Sequence, residues 1–176
     1  DYPVVTRSAR LVQKGDQKIR LENVMSAAVE FPDMDYEMIH LSGAWARERY
    51  VKTRKLEMGI QAVQSLAGTG SSSEQNPFIA LKRPHTTEDT GEVFGFSFVY
   101  SGNFLAQVEV STYEMTRVMM GINPQGFSWE LSRDEEFQTP EVVMVYSDKG
   151  LNGMSQAYHR LYRDRLMRGK WRNHAR

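Results

Sequence analysis

Trp45 and the two arginines that follow it, Arg47 and Arg49, are the side chains whose types and spacing best suit a binding surface. If this stretch is extended, Trp45 shares one strand face with Gly43 on one side and the two arginines on the other. Such a face makes a poor core, because burying guanidinium groups without partners costs several kcal/mol. Arginine bridges carboxylates, and tryptophan stacks on sugars or packs at interfaces. An interdomain contact and a ligand contact therefore remain equally open.

No recognisable catalytic set accompanies this stretch. The four histidines do not pair with one another or with carboxylates at the spacing of helical metal ligands: His40, His85, His159 and His174. A Gly-x-Ser-x-Gly elbow and a glycine-rich phosphate loop with its lysine are both absent. Glycosidases need two carboxylates at a fixed separation, but the acidic runs Asp134–Glu136 and Glu88–Glu92 fall in predicted turns. The residues thus predict no metal, no organic cofactor and no catalytic residue in this chain.

Composition narrows the class of protein. The 176 residues are 40% hydrophobic and 25% charged, which suits one folded domain with a sizeable core. Lys plus Arg equals Asp plus Glu at 22 each, so the chain gains no general attraction to nucleic acid or to anionic membranes. No apolar run approaches the length of a bilayer span. Cysteine is absent, which excludes disulfides and argues against a small disulfide-stapled secreted protein, without deciding between the cytosol and the outside of the cell. The expected localisation is cytoplasmic.

Most of the chain alternates with period two, which predicts strands with one face in a core. Phe104 to Ser111 reads as the hairpin partner of Glu92 to Tyr100, because the turn signal Ser101-Gly102-Asn103 separates them. Val142 to Val145 is apolar at successive positions and is expected to be covered on both faces. After Gly150 the pattern changes to a helical stripe, which Gly169 is expected to end. Gly68 to Ser73 is predicted to be a flexible polar loop.

About ten short strands followed by one helix predict a mainly β fold, an antiparallel β-sandwich with one C-terminal helix. The expected division is residues 1–149 for the sandwich, and 150–176 for the helix and a linker. Of the aromatic side chains, Phe94, Phe96, Phe98 and Trp129 are expected in the core. Asp1 is not an initiator methionine and the tail after Lys170 is basic, so we expect a fragment of a longer protein.

Several stretches, in order along almost the whole chain, resemble the N-terminal β-supersandwich domain of α-galactosidases of glycoside hydrolase family 36. They are Ser42-Gly43-Ala44-Trp45-Ala46-Arg47-Glu48-Arg49, Asn76-Pro77-Phe78, Gly91 to Phe104, Gly121-Ile122-Asn123-Pro124, Phe137-Gln138-Thr139-Pro140-Glu141, Tyr146 to Ser155 and the helix ending in Arg168-Gly169. Many matches in one order are more specific than a single short motif.

This resemblance implies a galactose-mutarotase-like supersandwich that packs on a catalytic (β/α)8 barrel beginning beyond this chain. The barrel of that family carries two aspartates, a nucleophile and a general acid/base, in a retaining mechanism. The implied substrates are galactoside oligosaccharides such as melibiose and raffinose, and the implied parent enzyme is a tetramer without cofactors. Carried over from the family, Trp45 is the expected substrate contact of this chain.

Two other functions are compatible with the residues. A free-standing carbohydrate-binding module would bind galactosides without a barrel. A purely structural or oligomerisation domain would use the same exposed aromatic and basic side chains for assembly.

Overall fold

A computed structural model describes residues 2–68 and 74–170, so most of the predicted serine loop and His174 lie outside the described residues. In the described part the chain forms fourteen strands and one α-helix, α1 (Gly150–Leu161), which continues as a π-helical turn over Tyr162–Leu166. The strands are β1 (Val4–Arg7), β2 (Arg10–Val12), β3 (Ile19–Leu21), β4 (Met25–Phe31), β5 (Glu37–Ala44), β6 (Arg47–Lys55), β7 (Gly59–Ser65), β8 (Gln75–Lys82), β9 (Val93–Phe98), β10 (Phe104–Val110), β11 (Thr116–Ile122), β12 (Trp129–Leu131), β13 (Glu136–Gln138) and β14 (Val142–Ser147).

Two antiparallel sheets form the sandwich. The larger has the order β1-β14-β9-β8-β5-β6, and the smaller has the order β4-β11-β10-β7. Two short ribbons, β2 with β13 and β3 with β12, complete the strand pairing. The predicted antiparallel β-sandwich with a C-terminal helix is therefore confirmed.

The main core lies between the two sheets, where alternate residues of each strand meet. Phe96 and Phe98 of β9 and Val142 of β14 face Phe104 and Val108 of β10, and all are buried. Phe94 packs partly buried against the same core. Strands whose inward positions are large and apolar bury most surface this way, which drives the sheets together.

The outer face of the six-stranded sheet carries a second core, covered by α1. Val143 and Val145 of β14 lie there with Met154 and Tyr158 of the helix. The Tyr158 hydroxyl donates a hydrogen bond to the Val143 carbonyl oxygen over 3.0 Å. Burial on both faces was predicted for this strand from its continuous apolar run, and the structure confirms it.

Two expectations from the sequence are wrong. β9 and β10 do not form a hairpin, because β9 pairs with β8 and β14 while β10 pairs with β7 and β11 in the other sheet. A hairpin would place their core side chains on one face of one sheet, whereas here Phe98 and Phe104 meet from opposite sides of the core. Trp129 is not in the core either. It lies on the small β3–β12 ribbon, half exposed, with its ring against Phe137 at 5.4 Å.

The helical segments within residues 2–68 and 74–170 are too short or too polar to cross a lipid bilayer.

Candidate functional site

Trp45 lies at the tip of the β5–β6 hairpin and is 87% exposed. The sequence analysis placed Trp45 on an extended strand, on one face with Gly43, Arg47 and Arg49. The structure instead places a reverse turn at Trp45 and Ala46. Ala46 has a φ of 63°, and its amide donates a hydrogen bond to Glu48 Oε1 over 3.0 Å. A carboxylate that accepts from a backbone amide in a turn restricts that turn. The indole is thus presented to solvent from a defined backbone.

A β-bulge behind the tip sorts the arginines onto different faces. Ser42 pairs with Tyr50 and Ala44 pairs with Arg47, so Glu48 and Arg49 together oppose Gly43. A Cβ on Gly43 would collide with the Arg47 carbonyl and come within 2.7 Å of Glu48 Cα, so the bulge requires glycine at this position. The extra residue brings Arg47 and Tyr50 to one face, although a regular strand would put residues three apart on opposite faces.

An open cleft of about 450 Å³ lies on that face, beside the turn. It is lined by Ser42, Gly43, Ala44, Arg47, Tyr50 and Lys52. A tyrosine, a hydroxyl and two cations without a carboxylate suit a ligand rich in hydrogen-bond acceptors.

His40 supports the cleft from the neighbouring position on β5. Its Nδ1 lies 2.8 Å from Ser42 Oγ, and its Nε2 lies 3.2 Å from an Arg54 nitrogen. Ser42 Oγ in turn donates to Gln75 Oε1 over 2.8 Å. Burial lowers the pKa of His40, and the charges of Arg54 and Lys52 lower it further. A neutral imidazole that donates from Nδ1 and accepts at Nε2 satisfies every contact in this chain of hydrogen bonds.

Arg49 lines a second depression on the opposite face of the hairpin, next to α1. This depression is about 340 Å³ and contains Phe78, Tyr158 and Tyr162, with His159 at the helix. The ring centroids of Phe78 and Tyr158 are 6.0 Å apart, and the hydroxyls of Tyr158 and Tyr162 donate to Val143 O and Ser97 Oγ. Period-two alternation predicted Arg49 and Arg47 on one face, and this prediction is wrong because of the bulge.

The remaining candidates do not assemble into a reactive site. His85 and His159 are exposed, and no group of three metal-ligating side chains occurs within residues 2–68 and 74–170. Asp134 and Glu136 form exposed ion pairs with Lys14 and Arg10. In the other acidic run, Asp89 accepts a hydrogen bond from Asn152 and Glu92 accepts one from Tyr146.

Sequence reasoning missed three contributors to the tip: Gly43, Glu48 and His40. Ala46 and Arg49 both have a positive φ, which is rare for residues other than glycine. The residue types in this stretch therefore gave no indication of the turn or the bulge. The serine at position 42, two residues after His40, was the one available signal of the hydrogen-bond chain.

Comparison with known families finds two matches. Residues 1–132 match the glycosyl hydrolase family 36 N-terminal domain, and residues 136–176 match the family described as Melibiase. The second match begins at β13, so it includes β14 and α1 of the sandwich described above.

Individual relatives cover the chain almost completely. α-Galactosidase AgaA of Geobacillus stearothermophilus is 58% identical over 99% of this chain, and Mel36A of Lactobacillus acidophilus is 45% identical over 100% of it. Crystal structures of AgaA variants, one in complex with stachyose and one with raffinose, match with a TM-score of 0.96 at 56% identity over 99% of this chain. The chain spans only 24% of the length of these relatives.

Proposed function

This chain belongs to glycoside hydrolase family 36, as part of its N-terminal domain, and we propose that it is the non-catalytic N-terminal portion of an α-galactosidase. The parent enzyme hydrolyses terminal α-galactosyl groups from oligosaccharides such as melibiose and raffinose. Its relatives carry the name α-galactosidase, and structures of AgaA hold stachyose and raffinose. Because this chain spans about a quarter of those relatives, the reacting carboxylates are assigned to the remainder.

The geometry of the acidic residues supports a non-catalytic role. Retaining glycosidases need one carboxyl group as nucleophile and another as acid/base, facing each other across the bond that breaks. Here Asp134 and Glu136 lie in exposed ion pairs. Asp89 accepts a hydrogen bond from Asn152, and Glu92 accepts one from the Tyr146 hydroxyl. The chain therefore acts through binding and packing.

Within this function, Trp45 is the proposed substrate contact. The observation that carries this assignment is an indole almost fully exposed on a turn that a side-chain hydrogen bond restricts. An exposed aromatic ring can stack on the apolar face of a sugar at little cost in conformational entropy. Arg47, Tyr50 and Lys52 beside it offer donors to sugar hydroxyls.

The proposal also divides the chain and names its partners. Residues 1–149 form the sandwich, and residues 150–176 form the helix and linker toward a catalytic barrel on which the sandwich packs. The parent enzyme is proposed to be a cytoplasmic homo-oligomer, a tetramer, that needs no cofactor.

Substitution of Trp45 in the parent enzyme tests the assignment. Loss of one stacking ring costs about 1.4 kcal/mol, so Trp45→Ala should raise KM for raffinose about tenfold with kcat nearly unchanged. Tyr113→Ala is the matched control, because Tyr113 is 85% exposed at the tip of the β10–β11 hairpin. Equal Michaelis constants for both variants and the wild type would remove Trp45 from the substrate site.

A free-standing carbohydrate-binding module is the second candidate, and the open cleft beside Trp45 favours it. Titration calorimetry of the isolated chain with melibiose separates the two functions. A domain that contacts the sugar only as part of a site shared with the barrel gives no measurable heat, whereas an independent binding module gives a saturable isotherm. A purely structural domain would leave KM unchanged in Trp45→Ala and would alter assembly measured by light scattering.

A further inference from the structure

His40 is a half-buried titratable side chain on β5, and no step of the proposed function uses it. β5 lies between β6 and β8, where Lys52 and Ile79 are the direct partners of His40. Alternate residues of a strand share a face, so the imidazole lies on the side of β5 that carries Met38 and Ser42. Met38 belongs to the main core, and Ser42 lines the open cleft. His40 therefore stands between the core and the cleft.

The hydrogen bonds around His40 run in one direction. The Ser42 hydroxyl donates its one proton to Gln75 Oε1 over 2.8 Å, so its oxygen must accept from His40 Nδ1, also 2.8 Å away. With its proton on Nδ1, the neutral ring accepts at Nε2 from Arg54 over 3.2 Å. Each donor in the series Arg54, His40, Ser42 is thus committed to the next acceptor. A change at the ring disturbs both of its neighbours.

The charges that face His40 are positive in the part of the chain that the structure describes. Burial lowers the pKa of His40, and Arg54 and Lys52 of β6 lower it further, with no contribution from a carboxylate. The other titratable side chain on this face of β6 is Tyr50, a phenol that carries no charge near neutral pH. β8 places uncharged side chains beside the ring, and β7 carries no titratable side chain. Protonation of Nε2 would turn its lone pair into a donor pointed at the Arg54 guanidinium, so the series of hydrogen bonds requires a neutral imidazole.

Ser42 joins this series to the tip that presents Trp45. It forms the last regular pair with β6 before the bulge at Gly43. Its hydroxyl is held from β5 by His40 and from β8 by Gln75. These two bonds fix the side chain at the point where the backbone leaves regular pairing. Without them, the base of the tip depends on backbone pairing alone.

We propose that His40 is a positioning residue: its neutral imidazole holds the base of the tip in place, and a proton on Nε2 releases it. This inference rests on the proposed function in linking the tip to the substrate through Trp45. A released ring regains its ordinary pKa of 6.5, whereas the held ring has a lower one. The hold is therefore complete above about pH 6.5 and weakens as the pH falls below that value, by up to about tenfold in the opening equilibrium per pH unit. Affinity for the substrate falls in acid as a result.

Two substitutions of His40 separate positioning from packing. The amide of asparagine reaches the place of Nδ1 and can donate to Ser42, whereas the amide of glutamine reaches the place of Nε2 and faces Arg54. Neither amide takes up a proton near neutral pH. His40→Asn should therefore keep the tip in place at every pH, and His40→Gln should release it at every pH. His85→Asn is the matched control, because His85 is exposed in a turn.

Protection of the tip amides from hydrogen exchange is the direct readout. It is measured at residues 43–49 of the intact parent enzyme at about pH 7 and about pH 5, and corrected for the intrinsic pH dependence of exchange. We expect the wild type and His85→Asn to lose protection several-fold at the lower pH. His40→Asn should show no such loss, and His40→Gln should lack protection at both pH values. The KM for raffinose should be several-fold higher wherever the tip is released, with kcat alike in all four enzymes at each pH.

The outcomes decide the role of His40 separately from the proposed function. Equal protection profiles in the wild type and His40→Asn would overturn the positioning role, and so would a His40→Asn enzyme that behaves like His40→Gln. Exchange that follows His40, together with one KM for all four enzymes at each pH, would support the positioning role and reject Trp45 as the substrate contact. An inactive parent would reject the proposed function, while exchange at the tip would still decide whether His40 holds it.

Discussion

Adding a single methyl group at Gly95, by substitution with alanine, should displace helix α1 from the sheet. A Cβ built on Gly95 would lie 2.7 Å from Met154 Sδ and 2.9 Å from both Tyr158 Cε2 and the Tyr158 hydroxyl oxygen. Met154 is flexible and can yield, whereas the Tyr158 ring is fixed by its bond to Val143 O and by its edge contact with Phe78. The ring must therefore move, and the helix must move with it.

The size of this effect follows from the contacts that are lost. Overpacking a close-packed core costs about 1–3 kcal/mol, and the buried hydrogen bond of Tyr158 contributes about 1 kcal/mol of that when it breaks. We expect Gly95→Ala to lower the free energy of unfolding by about 2 kcal/mol. For a chain of this length the unfolding temperature should then fall by about 4–8 °C.

Urea unfolding followed by circular dichroism measures this change. Gly15→Ala is the matched control, because a Cβ at Gly15 meets only the side chain of Gln13 at 3.6 Å. Tyr158→Ala should remove the clash, so the double variant should be more stable than the sum of the single effects by about 1 kcal/mol. If Gly95→Ala unfolds at the same urea concentration as Gly15→Ala, the helix does not rest on β9 as described.

Three further predictions concern other parts of the sandwich. Ser26 Oγ is buried and has no hydrogen-bond partner among the residues that the structure describes. Ser26→Ala should therefore be neutral or stabilise by up to about 1 kcal/mol in urea unfolding, and a clear loss of stability would contradict this. Gly43→Ala should disrupt the bulge, because a Cβ there would collide with the backbone of β6. Amide hydrogen exchange at the β5–β6 tip should become faster, while the midpoint of urea unfolding should stay nearly unchanged. Unaltered exchange at the tip would show that the bulge tolerates a Cβ. Arg83 holds the pKa of Asp33 below its ordinary value near 3.8. That carboxylate therefore stabilises the fold above about pH 4, and this stabilisation is lost as the pH falls through its folded pKa. In Arg83→Met the free energy of unfolding should fall less steeply between about pH 4 and lower pH than in the wild type. An unchanged pH dependence would refute the pairing.

Periodicity predicted the faces of the strands well, because burial on one side is a local property of the sequence. The Phe94, Phe96 and Phe98 face and the continuous apolar run of β14 both fall where expected. Strand pairing was less predictable. The choice between a hairpin and a crossing to the other sheet at residues 100–103 depends on partners far away in sequence, and local turn residues are alike in both cases.

At the candidate site, too, the exposure of a face was predictable from the sequence, whereas the backbone geometry was not. The poor match of Trp45 to a core was evident from its arginine neighbours. The reverse turn and the bulge were not, because they depend on two non-glycine residues with positive φ, Ala46 and Arg49. Period-two counting runs through such a turn without interruption, and it therefore assigned Arg47 and Arg49 to one face.

The pairing of β1 with β14 has a consequence for synthesis of the protein in the cell. Val4 and Val145 are partners, so the first strand waits for one made about 140 residues later. At about 5–20 residues per second, a ribosome needs roughly 7–28 s to deliver it. In the last part of that interval β9 has been made and can pair with β8, but it lacks its other neighbour, so the surface on which α1 packs is incomplete. The six-stranded sheet can therefore be completed only after synthesis of β14, which is inserted between β1 and β9, and α1 can pack only after that.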